Sequence, residues 1–82
     1  MIKLIEARYQ GEFQISIRFS DGKQGVFDGR ELLKRSGPSL EPLRDEAYFK
    51  RMFIDAGALS WPNGLELSPA RLHETCRALT PA

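Results

Sequence analysis

The chain holds few side chains that could carry out chemistry. His73 is its one histidine and Cys76 its one cysteine. A catalytic triad needs a histidine beside a hydroxyl nucleophile and a carboxylate, but no Gly-x-Ser-x-Gly elbow presents such a serine here. His73 lies between Leu72 and Glu74, and the helical periodicity there predicts that its side chain lies on the solvated side of a last helix.

Four aspartates are the other candidates for acid and base chemistry, because two carboxylates with different pKa values can act as a pair. The pattern favours structural roles for three of them. Asp21 belongs to a tight turn, Asp28 stands at a strand-to-helix junction, and Asp45 can cap a helical turn. Asp55 has no such role. The sequence therefore predicts a protein that is not an enzyme.

Cofactor and metal sites are also not expected. The glycines at 22, 25 and 29 lack the lysine and hydroxyl that complete a phosphate-binding loop. One cysteine can form neither an intrachain disulfide nor a metal site of paired cysteines, which is typical of a reducing compartment. No stretch approaches the roughly 18 apolar residues that span a bilayer, and the apolar start is too short for a signal peptide. These features predict a cytoplasmic protein with no membrane association.

The charges do not favour nucleic acid strongly. The chain has 12 basic and 11 acidic residues, so its net charge is +1, and the two signs are interleaved. Basic residues with Tyr48 as a stacking surface would nevertheless suit single-stranded nucleic acid. The candidates for this alternative are Arg18, Lys34, Arg35, Lys50 and Arg51.

Trp61 is the one tryptophan, and it precedes the reverse turn Pro62-Asn63-Gly64. Its large apolar area can anchor a core or serve as an interface hot spot. A small domain needs its aromatic residues inside, which favours the core. The candidate interaction surface consists of Trp61, Asn63 and the five basic residues named above.

The first half of the chain predicts an antiparallel sheet. Residues 13–19 alternate apolar and polar side chains, the pattern of a strand buried on one face. A strand over 2–9 would pair with it across the polar break 10–12. The Asp-Gly turn of residues 20–23 then leads into a third strand over 24–28.

A helix is predicted over 29–35, with an early glutamate and late cations that suit its dipole. Residues 36–39 end it. Leu40 and Leu43 are expected to pack against the core, while Pro42 prevents regular structure there.

The second half predicts shorter elements. Asp45 can cap a helical turn over 46–49. Strands over 51–55 and 58–61 would form a hairpin across Ala56-Gly57, whose glycine can take the left-handed conformation.

Ser68 and Pro69 predict the start of the last helix, because the hydroxyl can cap it and proline suits its first position. Leu72, Cys76 and Leu79 fall on one stripe that would pack on the sheet. The prediction is one α+β domain over 1–82: a small antiparallel sheet of four to five short strands with two or three short helices, the last one C-terminal.

The order of these features resembles the DUF 2442 family of small bacterial proteins over most of the chain. The resemblance rests on residues 19–22, on a leucine pair at 32–33, and above all on 61–69, which read Trp-Pro-Asn-Gly-Leu-Glu-Leu-Ser-Pro. Other matching positions are Leu40, Leu43, Asp45, Phe49 and Leu72. The family usually has an aspartate where this chain has Glu66, and a leucine where it has Gly29.

The resemblance implies an α+β fold without established catalytic residues. Members are often encoded beside a protein of another family, DUF 4160, in an arrangement similar to a toxin and antitoxin pair, and some carry a helix-turn-helix domain after this one. The expectation is therefore a protein-interaction module, antitoxin-like, that binds a partner through a sheet edge or the surface around Trp61 and the last helix, or binds a second copy. The alternative is a nucleic-acid-associated transcriptional regulator.

Overall fold

The computed structural model describes residues 2–34 and 37–78. These residues form seven strands in two antiparallel sheets, with strand orders β1-β2-β3-β7 and β4-β5-β6. The strands are β1 (Leu4–Gly11), β2 (Gln14–Phe19), β3 (Gln24–Asp28), β4 (Phe53–Asp55), β5 (Ala58–Ser60), β6 (Glu66–Leu67) and β7 (Arg77–Ala78). The helices are α1 (Gly29–Leu33), α2 (Glu46–Phe49) and α3 (Pro69–Thr75), with a 3₁₀ helix at Pro42–Arg44.

The predicted α+β class is confirmed, but the strands divide into two sheets instead of one. The division follows from the turn after β5. Trp61 N–H donates to Leu65 C=O at 3.0 Å, and Gly64 N–H donates to Trp61 C=O at 3.0 Å. This reversal brings Leu67 opposite Leu59, so β4 and β5 acquire their own third strand.

The first hairpin turns later than the sequence predicts. β1 runs on to Gly11, which pairs with Gln14, and the loop consists of Glu12 and Phe13. Both have positive φ, 52° and 63°, which non-glycine residues rarely adopt. Phe13 thus belongs to the turn and not to the strand. Its ring packs edge-to-face on Phe49, with centroids 5.1 Å apart, and its N–H donates to the hydroxyl of Tyr9 at 3.0 Å.

Three predicted capping residues are confirmed. Asp28 accepts from the N–H of Arg30 at 3.0 Å, and Asp45 accepts from that of Ala47 at 3.1 Å. Ser68 Oγ accepts from the N–H of residue 71 at 3.1 Å, with proline at the first position of α3. These side chains satisfy amide groups that have no partner within a helix.

Two helix predictions require correction. The predicted helix over 29–35 ends at Leu33, with Lys34 as its C-cap, while Arg35 lies outside the described residues. Pro42 does not prevent regular structure, since it begins the 3₁₀ helix. Proline is tolerated there because the first amide of a helix needs no partner within it.

One hydrophobic cluster packs the two sheets and the helices together. It contains Leu4, Ile15, Ile17, Phe19, Leu32, Leu40, Leu43, Phe49, Leu59, Trp61, Leu72 and Cys76. Both leucines predicted to pack from the loop, Leu40 and Leu43, are members. α3 contributes Leu72, and Cys76 is its C-cap. Leu79, predicted on the same stripe, lies outside the described residues. Within the described ranges, no helix is long and apolar enough to cross a membrane.

Candidate interaction surface

Trp61 lies in the core and is 1% exposed. Its indole N–H donates to the carbonyl oxygen of Phe49 at 2.9 Å, so both the ring and its polar group are used within the fold. The prediction that Trp61 packs in the core is confirmed, and its place in a candidate interaction surface is wrong. A partner at this part of the molecule would not touch the indole.

Asn63 is exposed, but both ends of its side-chain amide bind the backbone. Nδ2 donates to the carbonyl of Ser39 at 2.9 Å, and Oδ1 accepts from the N–H of Leu65 at 3.2 Å. Asn63 therefore joins its own turn to the loop that follows α1. Its hydrogen bonds give it a structural role.

The basic candidates lie on separate elements. Arg18 on β2 forms an ion pair with Glu6 at 3.6 Å, and Lys34 after α1 forms one with Glu31 at 3.3 Å. Arg35 lies outside the described residues. Carboxylates thus already neutralise Arg18 and Lys34, which reduces what either contributes to a phosphate site.

Lys50 and Arg51 follow α2 and have no carboxylate partner among the described ion pairs. Lys50 Nζ lies 5.9 Å from the centre of the Tyr9 ring, and the Arg51 guanidinium carbon lies 5.5 Å from that of Tyr48. Cations favour such positions because the face of an aromatic ring carries partial negative charge.

His73 is not simply solvated, as its helical position predicted. Its Nε2 lies 2.9 Å from Asp21 Oδ2, and its ring packs edge-on against Phe19 with centroids 4.9 Å apart. The ammonium of Lys23 donates to the backbone carbonyl of His73 at 2.5 Å. These contacts join α3 to the turn between β2 and β3, across 52 residues of sequence between Asp21 and His73.

This contact also changes the acidity of Asp21. The N–H of Lys23 donates to Oδ1, and the imidazole of His73 lies against Oδ2, and both hold the pKa of the carboxyl below its ordinary value. Among the described hydrogen bonds, the imidazole of His73 contacts Asp21 and no hydroxyl.

A groove lies between α1 and α3. Its lining includes the apolar Leu32, Leu67 and Leu72 and charged residues of both signs. Arg30, one of the lining residues, forms an ion pair with Asp28 at 3.1 Å. Among the described residues, no group of three side chains could hold a metal ion.

The feature that the sequence analysis missed is a set of exposed apolar side chains. Ile5, Phe53 and Ile54 are 52%, 45% and 37% exposed, and they are the large apolar side chains most exposed in the described part of the chain. Phe53 and Ile54 belong to β4, all three residues of which are exposed. β4 lies beside β1, and Leu4 N–H donates to the carbonyl of Gly57 at 2.9 Å.

Charged residues surround these apolar side chains. Lys50 and Arg51 precede β4, and Asp55 ends it. Lys3 lies at the other end of β4. Its Cβ is 2.9 Å from the position that a Cβ on Gly57 would occupy. We define the β4 surface as Lys3, Ile5, Lys50, Arg51, Phe53, Ile54 and Asp55. Alternation could not reveal it, because an exposed apolar strand has the same pattern as one that packs in a core.

Comparison with known proteins identifies one family. The family described as "Protein of unknown function (DUF2442)" matches residues 4–78, which is nearly the whole chain. No curated protein and no solved structure matches the chain.

Proposed function

Because this chain belongs to the DUF2442 family, whose description assigns no function, we propose from the structure itself that it is a non-enzymatic protein-interaction module. The β4 surface is the site at which it binds another protein. The observation that supports the proposal is the exposure of Ile5, Phe53 and Ile54 together.

Burial of this surface would be favourable. Complete burial of a fully exposed large apolar side chain contributes about 1.5–3 kcal/mol. These three side chains are 37–52% exposed, so a partner that covers them gains part of that amount from each. Exposed apolar surface often marks a binding site. The other large apolar residues of the described chain are buried or partly buried in the cluster around Trp61 and Phe49. The core therefore does not need Phe53 and Ile54, and a partner can cover them.

The position of β4 supports the same proposal. β4 is the outer strand of its sheet, where it pairs only with β5 among the described strands. Outer strands expose backbone groups and side chains to other chains, and many proteins cover such strands with a partner. A narrower form of the proposal is antitoxin-like: the partner is a separate protein encoded nearby, of the DUF 4160 type that the resemblance implies.

The test is capture of a partner from the native extract with the tagged protein, after nuclease treatment. We expect a stoichiometric protein that is retained by the natural chain and lost from the double variant Phe53→Ser/Ile54→Thr. Ala70→Ser is the matched control, since Ala70 is exposed on α3, outside the β4 surface. Urea unfolding of each variant would show that the fold is intact. Equal capture by both variants would contradict the proposal.

The alternative function is nucleic-acid binding, favoured by one observation. Lys50 and Arg51 lie close together in sequence and each is placed over a tyrosine ring, and aromatic and basic side chains together suit single strands. Binding of an oligonucleotide would then weaken steeply with salt, because neutralised phosphates release counterions. Lys50→Gln/Arg51→Gln would abolish it. Capture that disappears on nuclease treatment would favour this alternative over a protein partner.

A further inference from the structure

We propose that the β4 surface recognises an acidic amphipathic segment of the partner protein, with apolar side chains between carboxylates. This inference rests on the proposed function and adds the chemistry of the partner.

The β4 surface carries three cations and one carboxylate. Arg18, Arg30, Lys34 and Arg44 each form an ion pair with a carboxylate at 3.1–3.6 Å. Among the described ion pairs, none joins a carboxylate to Lys3, Lys50 or Arg51; Arg8 and Arg71 also lack one, but they lie on other elements. Asp55 is the one acidic residue of this surface. The surface therefore presents an excess of positive charge that a partner can neutralise.

The cations lie at the two ends of β4, with the apolar side chains between them. Lys50 and Arg51 precede Phe53, while Lys3 lies against Gly57 in the turn that follows the strand. Three residues of strand span about 10 Å. An extended segment along β4 would thus meet positive charge at each end and apolar side chains in the middle. Carboxylates about four residues apart on that segment would be placed to neutralise both ends.

The apolar part of the surface favours a protein over a nucleic acid. A phosphate backbone would satisfy Lys50 and Arg51 but would leave Ile5, Phe53 and Ile54 in contact with charge and water. The rings of Tyr9 and Tyr48 are already covered on one face by Lys50 and Arg51. A polypeptide supplies both carboxylates and apolar side chains, so it fits the whole surface.

The experiment is an NMR titration of the full-length protein with capped synthetic pentapeptides. The test peptide is Glu-Leu-Val-Leu-Glu, and its matched controls are Lys-Leu-Val-Leu-Lys and Glu-Ser-Thr-Ser-Glu. We expect the test peptide to shift the amide signals of residues 50–57 and of Lys3 and Ile5. Each control should bind at least about tenfold more weakly than the test peptide, since it lacks one of the two kinds of contact. Lys50→Glu/Arg51→Glu should reverse the preference between the two charged apolar peptides, whereas Arg71→Glu, on exposed α3, should not.

Each other outcome would overturn the inference. Equal binding of both apolar peptides would show that charge does not select the partner, while leaving the proposed interaction surface in place. Shifts confined to other residues, or no binding of the test peptide, would reject acidic recognition at β4, and the extract capture described above would still decide the proposed function separately. Tighter binding of a single-stranded oligothymidylate at these same residues would identify a nucleic-acid site instead.

Discussion

The indole N–H of Trp61 donates a hydrogen bond to the backbone carbonyl of Phe49, with 2.9 Å between the two heavy atoms. The two rings also pack together, with centroids 5.6 Å apart. This contact joins the end of β5 to the end of α2, and both residues are almost fully buried. It therefore connects the smaller sheet to the helix that packs under the first hairpin.

We predict that Trp61→Phe destabilises the protein by about 2–4 kcal/mol, because it leaves a cavity beside Phe49 and leaves the Phe49 carbonyl with only the longer hydrogen bond from the N–H of Met52, at 3.4 Å. Urea unfolding followed by circular dichroism would measure the change, since the variant lacks the one tryptophan. Phe53→Leu is the control, because Phe53 is 45% exposed and its replacement should cost little. A loss in Trp61→Phe no larger than in the control would contradict the prediction.

A second prediction concerns the stability of the protein at low pH. The pKa of Asp21 is lowered by the N–H of Lys23 and then by His73, so the folded state binds its proton more weakly than the unfolded state. The resulting stabilisation is present above the ordinary value of 3.8 and is lost as the pH falls through the folded pKa. Asp21→Asn should flatten the acid side of the stability profile, measured by urea midpoints from about pH 6 to about pH 2.

Glu41→Gln is the matched control for Asp21→Asn, because Glu41 also contacts a cation at the surface, with 3.4 Å to Arg44. It should change the acid side less than Asp21→Asn does. An unchanged acid profile in Asp21→Asn would show that neither the N–H of Lys23 nor His73 stabilises the ionised carboxylate in this range.

A third prediction concerns the stability of the protein at high pH. Burial raises the pKa of Tyr9, and so does its hydrogen bond to Glu46. Since the folded state holds this proton more tightly, the stabilisation is present below the ordinary value of 10.0 and is lost as the pH rises through the folded pKa. Tyr9→Phe should lower the urea midpoint at neutral pH and reduce its further decrease between about pH 9 and pH 11. Tyr48→Phe, which removes the other tyrosine hydroxyl, should not reproduce this pattern.

A fourth prediction concerns the turn between β4 and β5. Ala56 and Gly57 have φ of 52° and 82°. A two-residue hairpin turn of type I′ requires positive φ at both of its central residues. Alanine is strained there, whereas asparagine tolerates the conformation. Ala56→Asn should stabilise the protein by about 0.5–1 kcal/mol in urea unfolding. Gly57→Ala should destabilise the protein, because alanine is strained at this positive φ and its Cβ would lie 2.9 Å from the Cβ of Lys3. If Ala56→Asn and the natural chain unfold at the same urea concentration, Ala56 is not strained in this turn.

Much of the fold could be predicted because its signals are local. The third strand has the predicted bounds, 24–28, since a turn precedes it and a capping aspartate follows it. Asp45 and Ser68 were identified as caps because capping depends only on the next three residues. β6 and β7 were missed because two residues are too short to show a period.

The rest depends on contacts between distant parts of the chain. Nothing near Phe13 in the sequence indicates a left-handed conformation, which is accompanied by contacts with Phe49 and with the hydroxyl of Tyr9. Likewise, Asp21 and His73 meet only through the packing of α3. The β4 surface was missed because exposure of Phe53 is decided by which strands lie beside it, and alternation does not encode that.

Gly29 has a consequence for how this sequence can change over evolution. A Cβ at this position would lie 2.4 Å from Cζ of Phe49 and 2.7 Å from the carbonyl oxygen of Phe13, so the Phe49 ring occupies the space that a side chain would need. The resemblance to the DUF 2442 family implies a leucine at position 29 and a phenylalanine at position 49. A relative that carries both side chains must therefore place its phenylalanine ring differently, or widen the junction between β3 and α1, to make room for the leucine.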